Sequence, residues 1–455
     1  MNLREMKTLG EVCSKPQYGW TTSAAETGTI KLLRTTDITG GRIDWDTVPF
    51  CRDDPPDPAK YFIEDGDIVI SRAGSVGASH RILAPQRAAF ASYLIRFRPK
   101  PCLDGKYLAY YLQSPSYWAQ VRGSTAGIAV PNVNASKLAA FTIPIVPLSA
   151  QQRVVAEIEK QFSHLDEALA SLKRAQANLK RYKAAVLKAA VEGKLTEQWR
   201  KDHPDVEPAS ELLKRILSER RQRWQGQGKY KEPTPPDTVN LPILPDRWTW
   251  ATVEQLSVLV QYGSSAKTVD DPKGIPVLRM GNIEDGRLNL NHLKYLPKNH
   301  KEFPSLFLLD GDLLFNRTNS AELVGKVSVY LGTPSPCSFA SYLIRVRFSE
   351  FFLSHVAAYY IGSEKGRTWV TSVVSQQVGQ ANINGTKLQR LAVPLPPFRE
   401  QRTIVDGVEL RLSMAADLES AAIENLHRAK ALRRGILVRA FQGERSDEAR
   451  APQNS

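Results

Sequence analysis

The chain has 455 residues, 42% hydrophobic and 24% charged, with a formal net charge of +14. That length allows about three domains, and the composition is that of a water-soluble protein able to bury a core in each half. It excludes a membrane-spanning helix, because no apolar run approaches the roughly 18 residues that a span needs. The basic excess fits nucleic acid, an acidic membrane surface or simple solubility, and it is concentrated: residues 171–232, which taken alone read equally as a solvated helix face, hold 16 Lys and Arg against 8 Asp and Glu. Cys13, Cys51, Cys102 and Cys337 are scattered without a paired spacing, which predicts free thiols in a reducing cytoplasm. The opening residues Met1 to Lys7 carry no apolar stretch of a signal peptide, which points the same way.

The first predicted element is a head over residues 1–148, built from short β-type runs with turn punctuation. Ile68-Val69-Ile70-Ser71 follows the turn Glu64-Asp65-Gly66-Asp67, and Tyr93 to Arg98 alternates before Pro99. A helix is predicted from Lys106 to Ser114. The head closes on Phe141 to Pro147, whose prolines forbid a helix or a central strand.

Residues 149–196 follow as a long helix. Its apolar positions repeat every 3.5 residues, in one column Ile158, Leu165, Leu172, Leu179 and Val186, in the other Val155, Phe162 and Leu169, then Gln176, Lys183 and Ala190. Such a period over five heptads is a coiled-coil seam. Gly193 is the expected stop. Residues 197–246 hold a basic helix, predicted from Ser210 to Gln225 with Ser210 as its cap, and a Pro-rich linker from Lys229 to Pro245.

The second half repeats the first. A second head spans 247–397, with a helix from Leu353 to Ser363; a second long helix spans 398–443, and a disordered tail is expected over 444–455. Phe90-Ala91-Ser92-Tyr93-Leu94-Ile95-Arg96 returns unchanged as Phe339 to Arg345. In the same order, Gln17-Tyr18-Gly19 matches Gln261-Tyr262-Gly263, Asp65-Gly66-Asp67 matches Asp310-Gly311-Asp312, and Asn132-Val133-Asn134 matches Asn382-Ile383-Asn384. The second seam reads Val405, Val408, Leu412, Ala415, Glu419, Ala422, Leu426, Ala429, Arg433 and Ile436. Its small residues complement the leucines of the first helix, so the two helices are expected to pair, either parallel or antiparallel.

No catalytic or metal-ligand spacing is found. There is no GxxxxGK[ST] loop and no HExxH, and Asp53-Asp54-Pro55-Pro56-Asp57 lacks the aromatic of an amino-methyltransferase motif. Binding chemistry remains. The loop-like segments carry Tyr18, Arg34, Thr36, Arg72, Arg122, Ser124 and Thr125 in the first head, and Tyr262, Arg279, Asn282, Asn316, Arg317, Gln376 and Gln377 in the second. Arg reads guanine, and Asn or Gln reads adenine, by paired hydrogen bonds in the major groove. The repeated arginines could equally hold phosphate or an internal carboxylate. One scaffold with differing loops implies two different half-targets.

The chain resembles the specificity (S) subunit of type I restriction–modification enzymes. The resemblance rests on Asn132-Val133-Asn134 with Lys137-Leu138, Pro144 to Pro147 with Gln152-Arg153, and their second copies Asn382-Ile383-Asn384 with Lys387-Leu388 and Pro394 to Pro397 with Gln401-Arg402. The helix ends Ala185 to Leu195 and Gly435 to Gly443 and the central stretch Ala209 to Trp224 add to it. It departs at the weak second seam, with Glu419 and Arg433, and in the absence from the first head of a counterpart to Trp248 and Trp250. The resemblance implies an α+β fold, with two similar mixed α/β target-recognition domains separated by an antiparallel two-helix coiled coil with pseudo-two-fold duplication. It implies a non-catalytic cytoplasmic chain that binds double-stranded DNA at a bipartite site. Two modification (methyltransferase) subunits would dock on the coil, and restriction (translocase/nuclease) subunits would join. S-adenosylmethionine, ATP and Mg²⁺ would belong to those partners, with no cofactor or metal on this chain. A coiled-coil scaffold whose heads bind protein is the alternative.

Overall fold

The computed structural model describes residues 5–125, 132–224, 229–320, 323–377 and 380–442, with Asn319, Ser375, Gln376, Gln377 and Gln380 described in backbone alone. The expected tail over 444–455 lies outside the described residues. The chain divides into two compact units, residues 1–174 with 422–455, and residues 175–421. Each unit joins one head to a stretch of both long helices.

Each head is built on a four-stranded antiparallel sheet. In the first the strand order is Gln17–Tyr18, Leu94–Phe97, Ile68–Ser71, Ser79–Arg81. In the second it is Ser257–Tyr262, Leu343–Phe348, Leu313–Asn316, Val327–Val329, the same topology. Each also sets one parallel pair in a second sheet, Lys31–Leu33 beside Ala88–Phe90 and Ile275–Leu278 beside Ser338–Phe339. The Pro-containing closing segments form two-stranded ladders, Thr142–Ile145 with Glu5–Thr8 and Ala392–Leu395 with Thr249–Thr252. A two-stranded ladder has only edges, so Pro144 and Pro394 are tolerated there.

The repeated heptapeptide does not alternate as expected. Leu94–Phe97 is buried at every position, because the strand is internal to its sheet and covered on both faces. That burial includes Arg96 and its copy Arg345, and the repeated Asp-Gly-Asp turn supplies their counter-charge. Gly66 and Gly311 take φ of +87° and +84°, turning the chain so that Asp67 and Asp312 face inward. Asp67 accepts from Arg98 Nε at 2.7 Å and lies 3.8 Å from Arg96. Asp312 accepts from Arg347 Nε and Nη2, both at 2.7 Å, and lies 3.7 Å from Arg345. The two glycines of the Gln-Tyr-Gly repeats mark another duplicated constraint: a Cβ on Gly19 would meet Ala91 O at 2.2 Å, and one on Gly263 would meet Phe339 O at 2.3 Å.

The long helices are α1 (Leu148–Val191) and α2 (Phe398–Gln442). The structure shifts the expected pairing by one residue: Gln151, and not Gln152, sits in the first turn of α1 at the place that Gln401 holds in α2. Gln151 and Gln401 are fully buried, and each accepts from a backbone N–H of its head, Asp104 at 2.8 Å and Leu353 at 2.8 Å. In the first unit Val155, Ile158 and Phe162 share a buried cluster with Ile436, Leu437 and Phe441. Leu165, Leu169, Leu172 and Leu426 are half-buried there, and Ala422 and Ala429 are buried. In the second unit Val186 and Ala190 cluster with Ile404, Val405 and Val408, with Leu412 packed against them. Leu179 is half-buried and Ala415 buried.

Numbering falls on α2 as it rises on α1 within each unit, so the pairing is antiparallel. The polar seam positions are matched to partners. Arg433 Nη1 donates to Asp166 at 2.8 Å while its guanidinium lies 4.0 Å from the Phe162 ring, and Lys183 pairs with Glu419. Opposed charges in a seam fix its register at some cost in stability.

The basic helix differs from expectation. It runs Ala209–Gln222, and Ser210 is inside it, not its cap; the position before it is Pro208, with no side-chain cap bond. Ala209 N–H instead donates to Arg247 O at 2.8 Å, and Leu212 and Ile216 are buried in the second unit's core. Gly193, at φ +70°, follows the end of α1 as expected.

Candidate nucleic-acid interface

Tyr18 and Tyr262 end equivalent strands and do the same work in each head. Tyr18 Oη accepts from Ala135 N–H at 2.8 Å, and Tyr262 Oη from Gly385 N–H at 2.7 Å. These amides open two short helices, Ala135–Ala139 and Gly385–Gln389. Asn134 and Asn384 cap them by accepting from Lys137 and Lys387 N–H, each at 2.9 Å. The second Asn of each Asn-x-Asn repeat is therefore a helix cap.

Against each tyrosine ring lies an arginine, Arg72 at 5.2 Å and Arg317 at 4.8 Å from the ring centroid. Their backbones are fixed alike: the N–H groups donate to Tyr93 O (2.9 Å) and Tyr342 O (3.0 Å), and the carbonyls accept from Val133 (3.0 Å) and Ile383 (2.9 Å). Tyr93 and Tyr342 themselves are 60% and 50% exposed, so the aromatic inside the repeated heptapeptide is its one outward side chain of this size. Sequence reasoning passed over this pair; the signal was an exposed-type aromatic preserved between two otherwise buried runs.

The other repeated arginine behaves differently in the two heads. Arg34 is closed on Asp37, its Nη2 at 2.9 Å and its Nε at 3.2 Å from the carboxylate. In the second head Asn282 stands where Asp37 does, so the side chain that receives the backbone N–H of Arg279 (2.9 Å) carries no charge. Arg279 Nη2 donates to His292 O at 3.4 Å, and Arg279 lines a cleft of about 410 Å³ with Met280, Glu284, Leu323, Lys326 and Tyr342. The cleft combines the cations of Arg279 and Lys326 and the carboxylate of Glu284 with apolar side chains.

Several candidates belong elsewhere. Asn282 is 4% exposed and donates to Asn289 O at 2.9 Å, and Asn316 is fully buried in its strand, donating to Leu323 O at 3.1 Å. Neither amide is available to a base. Arg34 and Thr36 flank and open a helical turn, Thr35–Ile38, where Thr36 is exposed and bonds Asp37. Arg122, Ser124 and Thr125 end the helix Pro115–Thr125 and are not a loop; the Ser124 and Thr125 hydroxyls donate back to Val121 O. Arg122 is exposed on that last turn. Gln376 and Gln377 lie in the strand Ser375–Gln377, with side chains outside the described residues.

Among the described residues, the buried thiols of the heads are not activated. Burial pushes the Cys13 and Cys337 thiols up to about 12, which keeps them protonated, and all four cysteines are unpaired.

Comparison with known proteins adds the following. The family model described as "Type I restriction modification DNA specificity domain" matches residues 3–180 and 260–427. The chain is similar to the type I restriction enzyme EcoKI specificity subunit of Escherichia coli K12, 25% identical over 93% of this chain and 84% of that protein. It is similar also to the StySPI specificity subunit of Salmonella potsdam, 24% identical with the same coverage of each. In fold it is similar to a chain from a structure described as that of the type I R-M system, at a TM-score of 0.64 and 17% identity, covering 96% of this chain and 97% of that one. The HsdS subunit from Thermoanaerobacter tengcongensis gives a TM-score of 0.54 at 18% identity, covering 96% of each chain.

Proposed function

Since the chain belongs to the type I restriction modification DNA specificity family, we propose that each head reads one half of a bipartite, asymmetric site on double-stranded DNA. The chain is the DNA-recognition subunit of a type I restriction–modification system and is not itself the catalyst. The observation that carries the two-half reading is one scaffold used twice with different loops. The Tyr-Arg framework is common to both heads, whereas Asp37 is exchanged for Asn282, and the segment between Arg72 and Gly77 is three residues shorter than its counterpart between Arg317 and Gly325.

On this reading the helix pair sets the spacing of the half-sites and docks two methyltransferase subunits, which restriction subunits join. One feature of the second unit supports docking. Leu410, Met414 and Leu418 recur every fourth residue on the side of α2 opposite its seam and are 61%, 58% and 59% exposed. S-adenosylmethionine, ATP and Mg²⁺ belong to the partner subunits. The cytoplasm is the place of action; among the described residues no helix is long and apolar enough to cross a membrane.

Mapping methylated adenines in the source genome, with this gene intact and deleted, tests the reading. A two-part motif that loses its methylation in the deletion strain is expected. A methylation map unaltered by the deletion would count against it.

A further inference from the structure

Arg72 and Arg317 are a duplicated polar feature of the two heads. In both, the guanidinium lies against a tyrosine ring whose hydroxyl is anchored to a helix amide, so the plane of the fork is set by two separate contacts. In both, Nε is buried without a hydrogen-bond partner; Arg317 Nη1 donates to Ser341 O at 3.5 Å, and neither arginine has a carboxylate within ion-pair distance among the described residues. Other duplicated arginines are used up internally, Arg96 and Arg345 on buried aspartates and Arg34 on Asp37. A cation oriented this firmly and left without a counter-charge is suited to an anion from outside the chain.

The duplication decides which anion. Two heads that read different half-sites need different base readers, and a residue held on the same framework in each is poorly suited to telling them apart. The charge pattern common to every stretch of duplex is the phosphate backbone. Sequence-bearing differences begin immediately after each arginine, in the segment 73–76 against 318–324.

We propose that Arg72 and Arg317 are equivalent phosphate clamps, one per head, which seat each head on the DNA backbone and carry no sequence preference. This rests on the DNA-recognition reading above. The carbonyls of Tyr93 and Tyr342 hold the arginine backbones, and their side chains are exposed.

The test uses the reconstituted complex of this chain with its methyltransferase subunits, binding a duplex that carries its mapped site. R72Q and R317Q are each expected to lower the slope of log K against log salt by about 0.9, and the double variant by about 1.8. The affinity loss at 50 mM salt should then exceed that at 200 mM by roughly 3.5-fold for each single variant. The ranking of duplexes with single base changes in either half-site should stay that of the unaltered complex. R72K and R317K, which keep the charge, should retain the slope, and a thermal melt of each variant guards against a folding defect. Relaxed preference at one base pair with the slope unchanged would overturn the proposal, as would a Gln variant that alters neither slope nor ranking. If the unaltered complex itself shows no preference for the mapped site, the DNA-recognition reading fails instead.

Discussion

Replacing Asp312 with Ala is expected to destabilise the second head by about 3–5 kcal/mol, the cost of leaving a buried charge without its partner. Arg345 is 1% exposed, and burial and the neighbouring Arg347 both push its pKa down while Asp312 pushes it up. Its Nη1 donates to Phe307 O at 2.7 Å and its Nη2 to Ser305 O at 3.0 Å, but carbonyls do not neutralise it. Without the carboxylate two guanidinium groups face each other beside a core strand. R347A should cost far less, because Arg347 is 28% exposed and its loss leaves Asp312 with Arg345. Asp67→Ala tests the first head in the same way. Hydrogen exchange of the strands Leu313–Asn316 and Leu343–Phe348 reports the second head by itself. Wild-type protection in the Asp312→Ala variant would show that Asp312 is not the counter-charge on which that strand depends.

Glu400→Ala is expected to have a comparable effect, about 3–5 kcal/mol, placed differently. Glu400 is fully buried, and its two oxygens accept from Thr196 Oγ1 (2.6 Å), Arg200 Nη1 (2.7 Å) and Trp248 Nε1 (2.8 Å). One carboxylate at the start of α2 therefore binds the segment after α1 and the start of the second head. Its loss strands a guanidinium, an indole N–H and a hydroxyl at once. Glu400→Gln should be milder, because the amide keeps an acceptor. The readout is amide protection over residues 194–200 and 247–252, which should fall before that of the central sheet. Ala150 stands at the corresponding place before Gln151, so the first head has no equivalent of this site. Unchanged protection over those residues in the Ala variant would show that the segments are held by apolar packing alone.

The two heads and the seam were legible because both are written as periodicities. An unbroken heptapeptide repeat places the same strand in both heads, and a 3.5-residue period places Ile158, Phe162, Val405 and Val408 inward whatever they pack against. The polar seam positions were not legible. Glu419 and Arg433 read as weaknesses because their partners, Lys183 and Asp166, lie far off in sequence and meet them only through antiparallel pairing. The binding residues were legible by type and not by direction. Asn282 and Asn316 have the chemistry of base readers, but one caps its own turn and the other points into its sheet. Arg34 and Arg279 occupy one framework position, and a single neighbour, Asp37 or Asn282, decides whether the cation is consumed or free. Within the first head, Arg122, Ser124 and Thr125 read as loop residues, yet the helix Pro115–Thr125 runs through them, with both hydroxyls returned to Val121 O.

The most direct test of the account is an exchange of heads. Residues 247–397 are replaced by the second head of another specificity subunit, the complex is reassembled with its methyltransferase subunits, and its methylated sites are sequenced. The account predicts a motif in which one half is new and the other is kept from the parent. A motif changed in both halves, or in neither, would contradict it.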